Sequence, residues 1–237
     1  MTGLIDFHSH ILPGVDDGSK TVAQSIAMLQ KEAEQGITRV VATPHFYPRH
    51  DTPDRFLKRR YDAEMRLREA MEACPGLPEV IVGAEVYFFP GISESDVLSQ
   101  LTIGENRSIL IEMPMSSWTD GMYRELEDLA LRRGFTPVIA HVDRYISPLR
   151  THGIPRRLAR LPVLVQANAE FFLHRSTAAM ALRMLKQDQI HLLGSDCHDL
   201  DTRAPNLGAA ANYIENRLGS DILERISECG SFLLDRM

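Results

Sequence analysis

Histidines and carboxylates recur at regular spacing along this sequence. His8 and His10 follow Asp6 at alternate positions, and Asp196 and His198 repeat that spacing near the other end of the chain. Because alternate side chains of an extended strand point to one face, each such set can converge on one centre. Imidazole and carboxylate groups are ligands for zinc, iron and manganese. The spacing therefore predicts a metal site, in which Asp6 is expected to hold an imidazole N–H of a ligand.

Further residues of the same kinds follow other apolar segments. His45, Glu85, Glu112 and His141 each stand at or near the end of a short run of apolar residues. If all these side chains met without metal ions, the carboxylates and imidazoles would crowd together at an electrostatic cost. Divalent cations remove that cost, so the whole set predicts a site that holds several metal ions.

Seven apolar or β-branched segments have the length of buried parallel strands. They cover residues 4–8, 39–43, 79–84, 108–113, 137–141, 163–167 and 191–194. Apolar residues at helical spacing predict helices between them, over residues 21–35, 55–73, 123–133 and 177–187. This alternation favours a parallel sheet with right-handed crossovers, either a barrel or a doubly wound sheet. In both arrangements the polar residues reach the carboxyl edge of the sheet, where α/β active sites form.

The composition excludes several classes of protein. The 237 residues include 26 basic and 32 acidic side chains, so the net charge of −6 does not favour binding to nucleic acid. No apolar run is long enough for a membrane span, and the first residues lack the pattern of a signal peptide. Three cysteines are too few for a disulfide framework. We therefore expect a cytoplasmic protein without membrane insertion.

Several motifs together resemble one known superfamily. They are DFHSHILPGVDDGSKT, VVATPH, VGAEVY, LIEMP, IAHVDRY and GSDCHDLDTRAP, in that order. The sequence resembles the polymerase and histidinol phosphatase (PHP) superfamily and, within it, the manganese-dependent protein-tyrosine phosphatases of bacterial capsule and exopolysaccharide operons. This resemblance implies an α/β fold, a distorted seven-stranded (β/α)7 TIM-like barrel with its metal site at the carboxyl ends of the strands. It also implies that residues 1–237 form a single metallophosphatase domain.

The resemblance also implies a set of site residues. The implied metal ligands are His8, His10, Asp17, His45, Glu85, Glu112, His141, Asp196 and His198. The spacing alone does not choose between Asp16 and Asp17, and only the resemblance favours Asp17. Arg144 matches an arginine that binds phosphate and Arg203 matches a second arginine in the final loop, so the resemblance implies catalytic roles for both. Asp143 stands where the family usually has glutamate. The shorter side chain of aspartate would change any hydrogen bond made at that position.

The implied reaction is hydrolysis of a phosphate ester. The resemblance implies three divalent metal ions, with Mn²⁺ expected and Fe, Mg, Co or Zn as alternatives. A hydroxide bridging the ions would attack phosphorus in line with the leaving oxygen. The implied substrate is phosphotyrosine in a protein or peptide, namely the tail of a bacterial tyrosine kinase that acts in polysaccharide biosynthesis or export. The sequence makes no prediction of oligomeric state.

Four alternatives stay open at this point. Cys197 and Arg203 have the C-x5-R spacing of cysteine-dependent phosphatases, but the two acids between them would repel phosphate and no glycine eases backbone approach. An amidohydrolase barrel would use a lysine on the fourth strand, where this chain has Glu112. A histidinol-phosphate phosphatase or another small-molecule phosphomonoesterase is the nearest alternative within the superfamily. A non-catalytic protein that is stabilised by metal would have no need of Arg144 and Arg203.

Overall fold

Strands and helices alternate along the chain. A computed structural model describes residues 3–104 and 107–235, and within them it contains nine strand segments and eight α-helices. The strands are β1 (Leu4–Ser9), β2 (Ile37–Ala42), β3 (His45–Phe46), β4 (Glu79–Val82), β5 (Glu85–Tyr87), β6 (Ser108–Glu112), β7 (Thr136–Ile139), β8 (Leu164–Asn168) and β9 (Leu192–Gly194). The helices are α1 (Val22–Glu34), α2 (Pro53–Glu72), α3 (Asp120–Leu131), α4 (Ile154–Leu158), α5 (Ala169–Leu173), α6 (Ala178–Lys186), α7 (Leu207–Leu218) and α8 (Asp221–Leu234).

All paired strands are parallel. Strands β1, β2 and β4 form one sheet in that order, and β3, β5, β6, β7, β8 and β9 form the second. The chain passes from the first sheet to the second between β2 and β3, at Thr43 and Pro44, and again between β4 and β5, at Gly83 and Ala84. Proline has no N–H for a sheet hydrogen bond, which explains the break at Pro44. The predicted strands over residues 39–43 and 79–84 therefore extend past the ends of β2 and β4, into the residues where the chain changes sheet.

The two sheets curl so that the first and last strands meet. The His10 N–H donates to the carbonyl of Cys197 over 2.9 Å, and the Asp196 N–H donates to the carbonyl of His8 over 2.8 Å. The α/β class and the curled parallel sheet are confirmed. The count of seven barrel strands stays a prediction, because the described residues form segments in sheets of three and six strands.

The helices cover the outer faces of the sheets. The four predicted helices are present, with ends that lie within three residues of the predicted ones. In α1, the Thr21 hydroxyl accepts the Gln24 N–H over 3.1 Å, and Met28 and Leu29 are fully buried. Helices α5, α7 and α8 were not predicted from the sequence. None of the helices in the described parts of the chain is long and apolar enough to cross a membrane.

Candidate metal centre

Glu85 lies at the middle of a cluster of imidazoles. Its Oε2 atom is 3.2 Å from His8 Nε2, 3.4 Å from His10 Nε2 and 2.8 Å from His45 Nδ1. Its Oε1 atom is 2.7 Å from His141 Nε2. These residues come from β1, β3, β5 and the turn after β7, so the curl of the sheet brings their carboxyl ends to one place. Glu85 is therefore in reach of four histidines at once.

Asp196 contacts the other side of the same cluster. Its Oδ1 atom is 3.3 Å from His10 Nε2, 3.6 Å from His8 Nε2 and 3.7 Å from His198 Nδ1. Asp196 and His198 thus both lie next to His8 and His10. Asp196 reaches this position from a left-handed backbone conformation, with φ of 54°. Such a conformation is rare for a residue with a side chain and is often found at functional sites.

Two carboxylates complete the cluster at its open side. The Asp17 Oδ1 atom is 3.6 Å from His45 Nε2 and 3.5 Å from His198 Nε2, although 66% of the Asp17 side chain is exposed. The Glu112 Oε2 atom is 3.9 Å from His45 Nδ1. The structure therefore brings all nine residues that were predicted as ligands into one connected set. Their role as ligands stays a prediction.

The donor atoms of this set fit divalent cations. They form three overlapping groups in which the atoms lie within 4.8 Å of one another, namely His8, His10 and Glu85; His45, Glu85 and Glu112; and His10, Asp17, His45 and His198. Glu112 Oε2 and His198 Nε2 are buried and make no hydrogen bond, and the close contacts of Glu85 Oε2 with imidazole nitrogens also lack hydrogen-bond geometry. Buried polar atoms without a partner are costly, and a cation would satisfy them. Nitrogen and oxygen donors in this mixture suit manganese, iron or zinc.

The electrostatics keep the central carboxylates ionised. Burial would raise the pKa of Glu85, but the charges of His8, His45 and His141 hold that pKa well below its usual range. Burial opposes ionisation of Asp196 in the same way, and His8 and His10 again lower its pKa well below the ordinary value. Ionised carboxylates are the form that binds metal.

The Asp16–Asp17 pair divides into two roles. Asp16 has a side chain that is 6% exposed, and it accepts hydrogen bonds from His10 Nδ1 over 2.7 Å and from the His45 N–H over 2.9 Å. Asp16 therefore fixes the ring of His10 from behind, while Asp17 faces the cluster. The loop packs so tightly that position 18 requires glycine, because a Cβ there would lie 2.2 Å from the carbonyl oxygen of His10.

The expectation for Asp6 was wrong. Its carboxylate accepts from the Ser195 N–H over 2.9 Å, the Ser195 hydroxyl over 2.5 Å and the backbone N–H of His8 over 3.1 Å. It thereby joins β1 to the segment after β9 and does not hold an imidazole. The Nδ1 atom of His8 instead lies 3.2 Å from Gln166 Oε1, which also accepts the His141 N–H over 2.6 Å. A buried glutamine inside the apolar run of β8 was the signal that could have revealed this role.

Removing the carboxylate of Asp16 is expected to weaken metal binding without removing a ligand. We expect Asp16→Ala to lower the affinity for Mn²⁺ by about 10- to 100-fold, since partners that orient ligand imidazoles have effects of this size. Isothermal titration calorimetry with Mn²⁺ measures this. The exposed Asp201→Ala serves as the matched control. An unchanged affinity in Asp16→Ala would show that His10 does not depend on Asp16.

Two arginines lie beside Asp196 at the edge of the cluster. The Arg144 Nη2 atom is 2.5 Å from Asp196 Oδ2, and the Arg203 Nη2 atom is 2.7 Å from Asp196 Oδ1. Their side chains are 33% and 36% exposed, so both can reach solvent. Asp143 points elsewhere, because its Oδ1 atom accepts the Asn168 N–H over 2.9 Å. The two arginines with implied catalytic roles thus lie together, and Asp143 holds the end of β8.

The comparison with known families now agrees with the site. A family model described as "Capsular polysaccharide synthesis, CpsB/CapC" matches residues 4–230. The chain belongs to the CpsB/CapC family. It is 28% identical to the tyrosine-protein phosphatase CpsB of Streptococcus agalactiae over 234 residues, with 92% of each chain covered. It is 29% identical to the tyrosine-protein phosphatase YwqE of Bacillus subtilis over 237 residues, with 98% of this chain and 91% of YwqE covered.

Solved structures give the same result. A chain from the crystal structures of YwqE from Bacillus subtilis and CpsB from Streptococcus pneumoniae, described as unique metal-dependent tyrosine phosphatases, superimposes with a TM-score of 0.84. The identity is 25%, and the match covers 98% of this chain and 94% of the other. N-isopropylammelide isopropylaminohydrolase from Burkholderia multivorans shares only the fold, with a TM-score of 0.53 at 17% identity. The resemblance to the capsule phosphatases seen in the sequence motifs is confirmed.

Cys197 in this CpsB/CapC chain is turned away from the candidate metal centre. It is fully buried, and its Sγ atom lies 3.9 Å from Glu32 Oε1 on α1. Burial raises the pKa of the Cys197 thiol well above its usual value, and the nearby Glu32 and Asp6 raise it further. A thiol in this environment is a poor nucleophile. The environment of Cys197 therefore argues against the alternative of cysteine catalysis.

Proposed function

We propose that this CpsB/CapC protein is a metal-dependent protein-tyrosine phosphatase. Its substrate would be phosphotyrosine in the tail of a bacterial tyrosine kinase that acts in polysaccharide biosynthesis or export. The observation that carries the proposal is the meeting of the nine predicted ligands with Arg144 and Arg203 at one edge of the sheet. The relatives named tyrosine-protein phosphatases support the choice of phosphotyrosine over other phosphate esters.

We also propose that the site holds three divalent metal ions. We expect these to be Mn²⁺, with Fe, Mg, Co or Zn as alternatives. The donor groups share His10, His45 and Glu85 and suit more than one ion, and the number three is taken from the resemblance to the family. His8, His10, Asp17, His45, Glu85, Glu112, His141, Asp196 and His198 would hold these ions. Divalent cations lower the pKa of water and neutralise charge on phosphoryl oxygens.

The arginines supply phosphate binding from the protein itself. A guanidinium group binds two phosphate oxygens at once, and it stays charged at any physiological pH. Arg144 and Arg203 each contact one carboxylate oxygen of Asp196, so together they would orient the phosphoryl group against the ligand cluster. The leaving phenolate has a pKa of about 10 and needs less protonation than an alkoxide.

We further propose that residues 1–237 form one metallophosphatase domain and that the protein acts in the cytoplasm. The three cysteines support the second point, since Cys74, Cys197 and Cys229 are all free thiols. The expectation of no binding to nucleic acid and no membrane insertion belongs to the same proposal.

The proposal is tested by measuring metal content together with phosphatase activity. The protein is freed of metal with a chelator and reloaded with Mn²⁺, Fe²⁺, Mg²⁺, Co²⁺ or Zn²⁺, and its turnover of a phosphotyrosine peptide is compared with that of histidinol phosphate. We expect chelator-sensitive turnover that favours the peptide. A strong preference for histidinol phosphate would overturn the substrate. Fewer than two ions per chain and no chelator-sensitive activity would refute the metal-dependent mechanism, whereas bound metal without turnover of either substrate would indicate the non-catalytic alternative.

Replacing Cys197 is expected to change the reaction very little. We expect Cys197→Ser to lose less than about threefold in metal-dependent turnover, because the buried thiol does not face the candidate metal centre. Cys197→Ala is made in parallel, because serine adds a polar hydroxyl next to Glu32. The measurement is the initial rate at saturating Mn²⁺. Complete loss of activity in both variants with metal still bound would contradict the proposed mechanism.

A further inference from the structure

A cleft rich in aromatic residues opens beside the candidate metal centre. It has a volume of about 540 Å³, and its walls include Tyr47, Tyr87, Phe89, Pro90, Pro114 and Met122. Arg49 and His50 stand at its rim. We refer to this space as the aromatic cleft. No predicted metal ligand is among its walls, so it extends beyond the ligand cluster.

The walls of the aromatic cleft continue the strands that carry predicted ligands. Tyr47 lies two residues after His45, Tyr87 two residues after Glu85, and Pro114 two residues after Glu112. In an extended strand the side chain at i+2 points to the same face as the side chain at i, about 7 Å further along. The three strands β3, β5 and β6 are neighbours in one sheet. The cleft is therefore the next layer outward from the donor atoms on the same face.

Direct contacts join the cleft to the candidate metal centre. The ring of Tyr47 stacks on the ring of His45 with centroids 4.9 Å apart, and its hydroxyl lies 3.1 Å from His45 Nδ1. The ring of Tyr87 is 5.6 Å from that of Tyr47, and Tyr87 pairs with Glu112 in the strand register. An aromatic wall thus begins at a predicted ligand and leads outward without interruption.

We propose that the aromatic cleft binds the phenyl ring of the substrate phosphotyrosine, with Tyr87 as a residue that determines specificity. This rests on the proposed function, which places the phosphate at the ligand cluster. A phosphotyrosine ring is held rigidly a few bonds beyond its phosphorus atom, so it must lie in the layer next to the donor atoms. Aromatic rings pack against one another with a gain beyond simple burial. Alkyl phosphates, such as phosphoserine, would gain nothing from these walls.

A second cavity near the site is less suited to an aromatic ring. It has a volume of about 470 Å³ and is lined by Trp118, Arg144, Arg150 and other residues after β6 and β7. Trp118 already packs on Tyr145, with centroids 5.0 Å apart, and on Tyr123 at 5.6 Å. Its indole ring is thus engaged within the protein. The arginines make this cavity more suitable for negative charge, so we assign the ring to the aromatic cleft.

The test compares ligands with and without an aromatic ring. The variants are Tyr87→Ala, Tyr87→Phe and Trp118→Ala, with the exposed Tyr61→Ala on α2 as a matched control. For each Mn²⁺-loaded protein, kcat/KM is measured for a phosphotyrosine peptide and a phosphoserine peptide of the same sequence. Binding of phenylphosphonate and methylphosphonate is measured by calorimetry. The binding data do not depend on turnover.

We expect Tyr87→Ala to lower the preference for the aromatic ligand by about tenfold in both measurements. Tyr87→Phe should keep that preference because it keeps the ring, and Tyr61→Ala should match the unmodified protein. Equal losses for aromatic and alkyl ligands in Tyr87→Ala would overturn the inference, since Tyr87 would then act through Glu112. A selective loss in Trp118→Ala alone would overturn it by placing the ring in the second cavity.

Failure of the proposed function gives a different result. In that case the unmodified Mn²⁺-loaded protein would show no turnover of the phosphotyrosine peptide, whatever residue stands at position 87. That result contradicts both proposals. Normal turnover with an unchanged preference in Tyr87→Ala contradicts only the assignment of the cleft.

Discussion

Glu85→Gln is expected to lower turnover of a phosphotyrosine peptide by more than about 1000-fold. Glu85 belongs to two of the three donor groups, and its two oxygens face four histidines. Glutamine has nearly the same shape, but it lacks the negative charge that attracts a divalent cation. We therefore expect loss of metal together with loss of activity. Initial rates and metal content by mass spectrometry, measured on the same samples, check this.

Controls separate the loss of metal from a loss of fold. Glu72→Gln replaces an exposed glutamate near the end of α2 and should leave both rate and metal content unchanged. Circular dichroism should show the same α/β fold in both variants. If Glu85→Gln keeps its full metal content and its rate, Glu85 is not a ligand. If metal stays but the rate is lost, the carboxylate acts on the substrate or on water instead of holding the ions.

The chemistry of the candidate site could be predicted well because strand geometry is simple. Spacing of two residues in an extended segment determines which side chains share a face, so His8 with His10 and Asp196 with His198 could be paired from the sequence. Parallel strands also have a common carboxyl edge, which brought Glu112 and His141 into the same prediction. The structure places His8 and His10 as the spacing indicated, whereas Asp196 lies beyond the end of β9 in a left-handed conformation that the spacing does not predict. Local periodicity was sufficient wherever the strand itself orients the side chain.

The parts that the sequence did not predict depend on contacts between distant segments. Asp16 and Asp17 are adjacent and chemically identical, and only the packing of their loop against His10 and His45 gives them different roles. Asp6 was assigned to an imidazole because it shares a face with His8. The structure instead joins it to Ser195, at 189 residues' separation in the sequence. The spacing of residues within one segment does not identify a hydrogen-bond partner in a distant segment.

The strand breaks were missed for a related reason. An apolar run continues through residues 79–84, and it was interpreted as one strand. In the structure β4 ends at Val82 and β5 begins at Glu85, because the chain passes from one sheet to the other there. Hydrophobicity is the same on both sides of the break. Only the pairing partners differ, and these are a property of the whole sheet.

Arg144→Ala is expected to lower kcat for the phosphotyrosine peptide by about 100-fold and to leave metal content unchanged. Arg144 contacts Asp196 from the edge of the cluster and is not among the donor atoms. Its guanidinium would lose its contact with the phosphoryl oxygens, where charge grows in the transition state. Steady-state kinetics at saturating Mn²⁺ measure the change, and metal analysis of the same samples shows whether the ions are kept.

Arg150→Ala is the matched control, because Arg150 is an exposed arginine of the neighbouring cavity that lies outside the ligand cluster. Arg203→Ala provides a second comparison, since Arg203 also contacts Asp196. If both arginines bind one phosphoryl group, the losses in Arg144→Ala and Arg203→Ala should not add in the double variant, because residues that share a partner are coupled. An unchanged kcat in Arg144→Ala would remove that residue from the site. A loss of metal with the loss of rate would instead show that Arg144 acts by holding Asp196 in position.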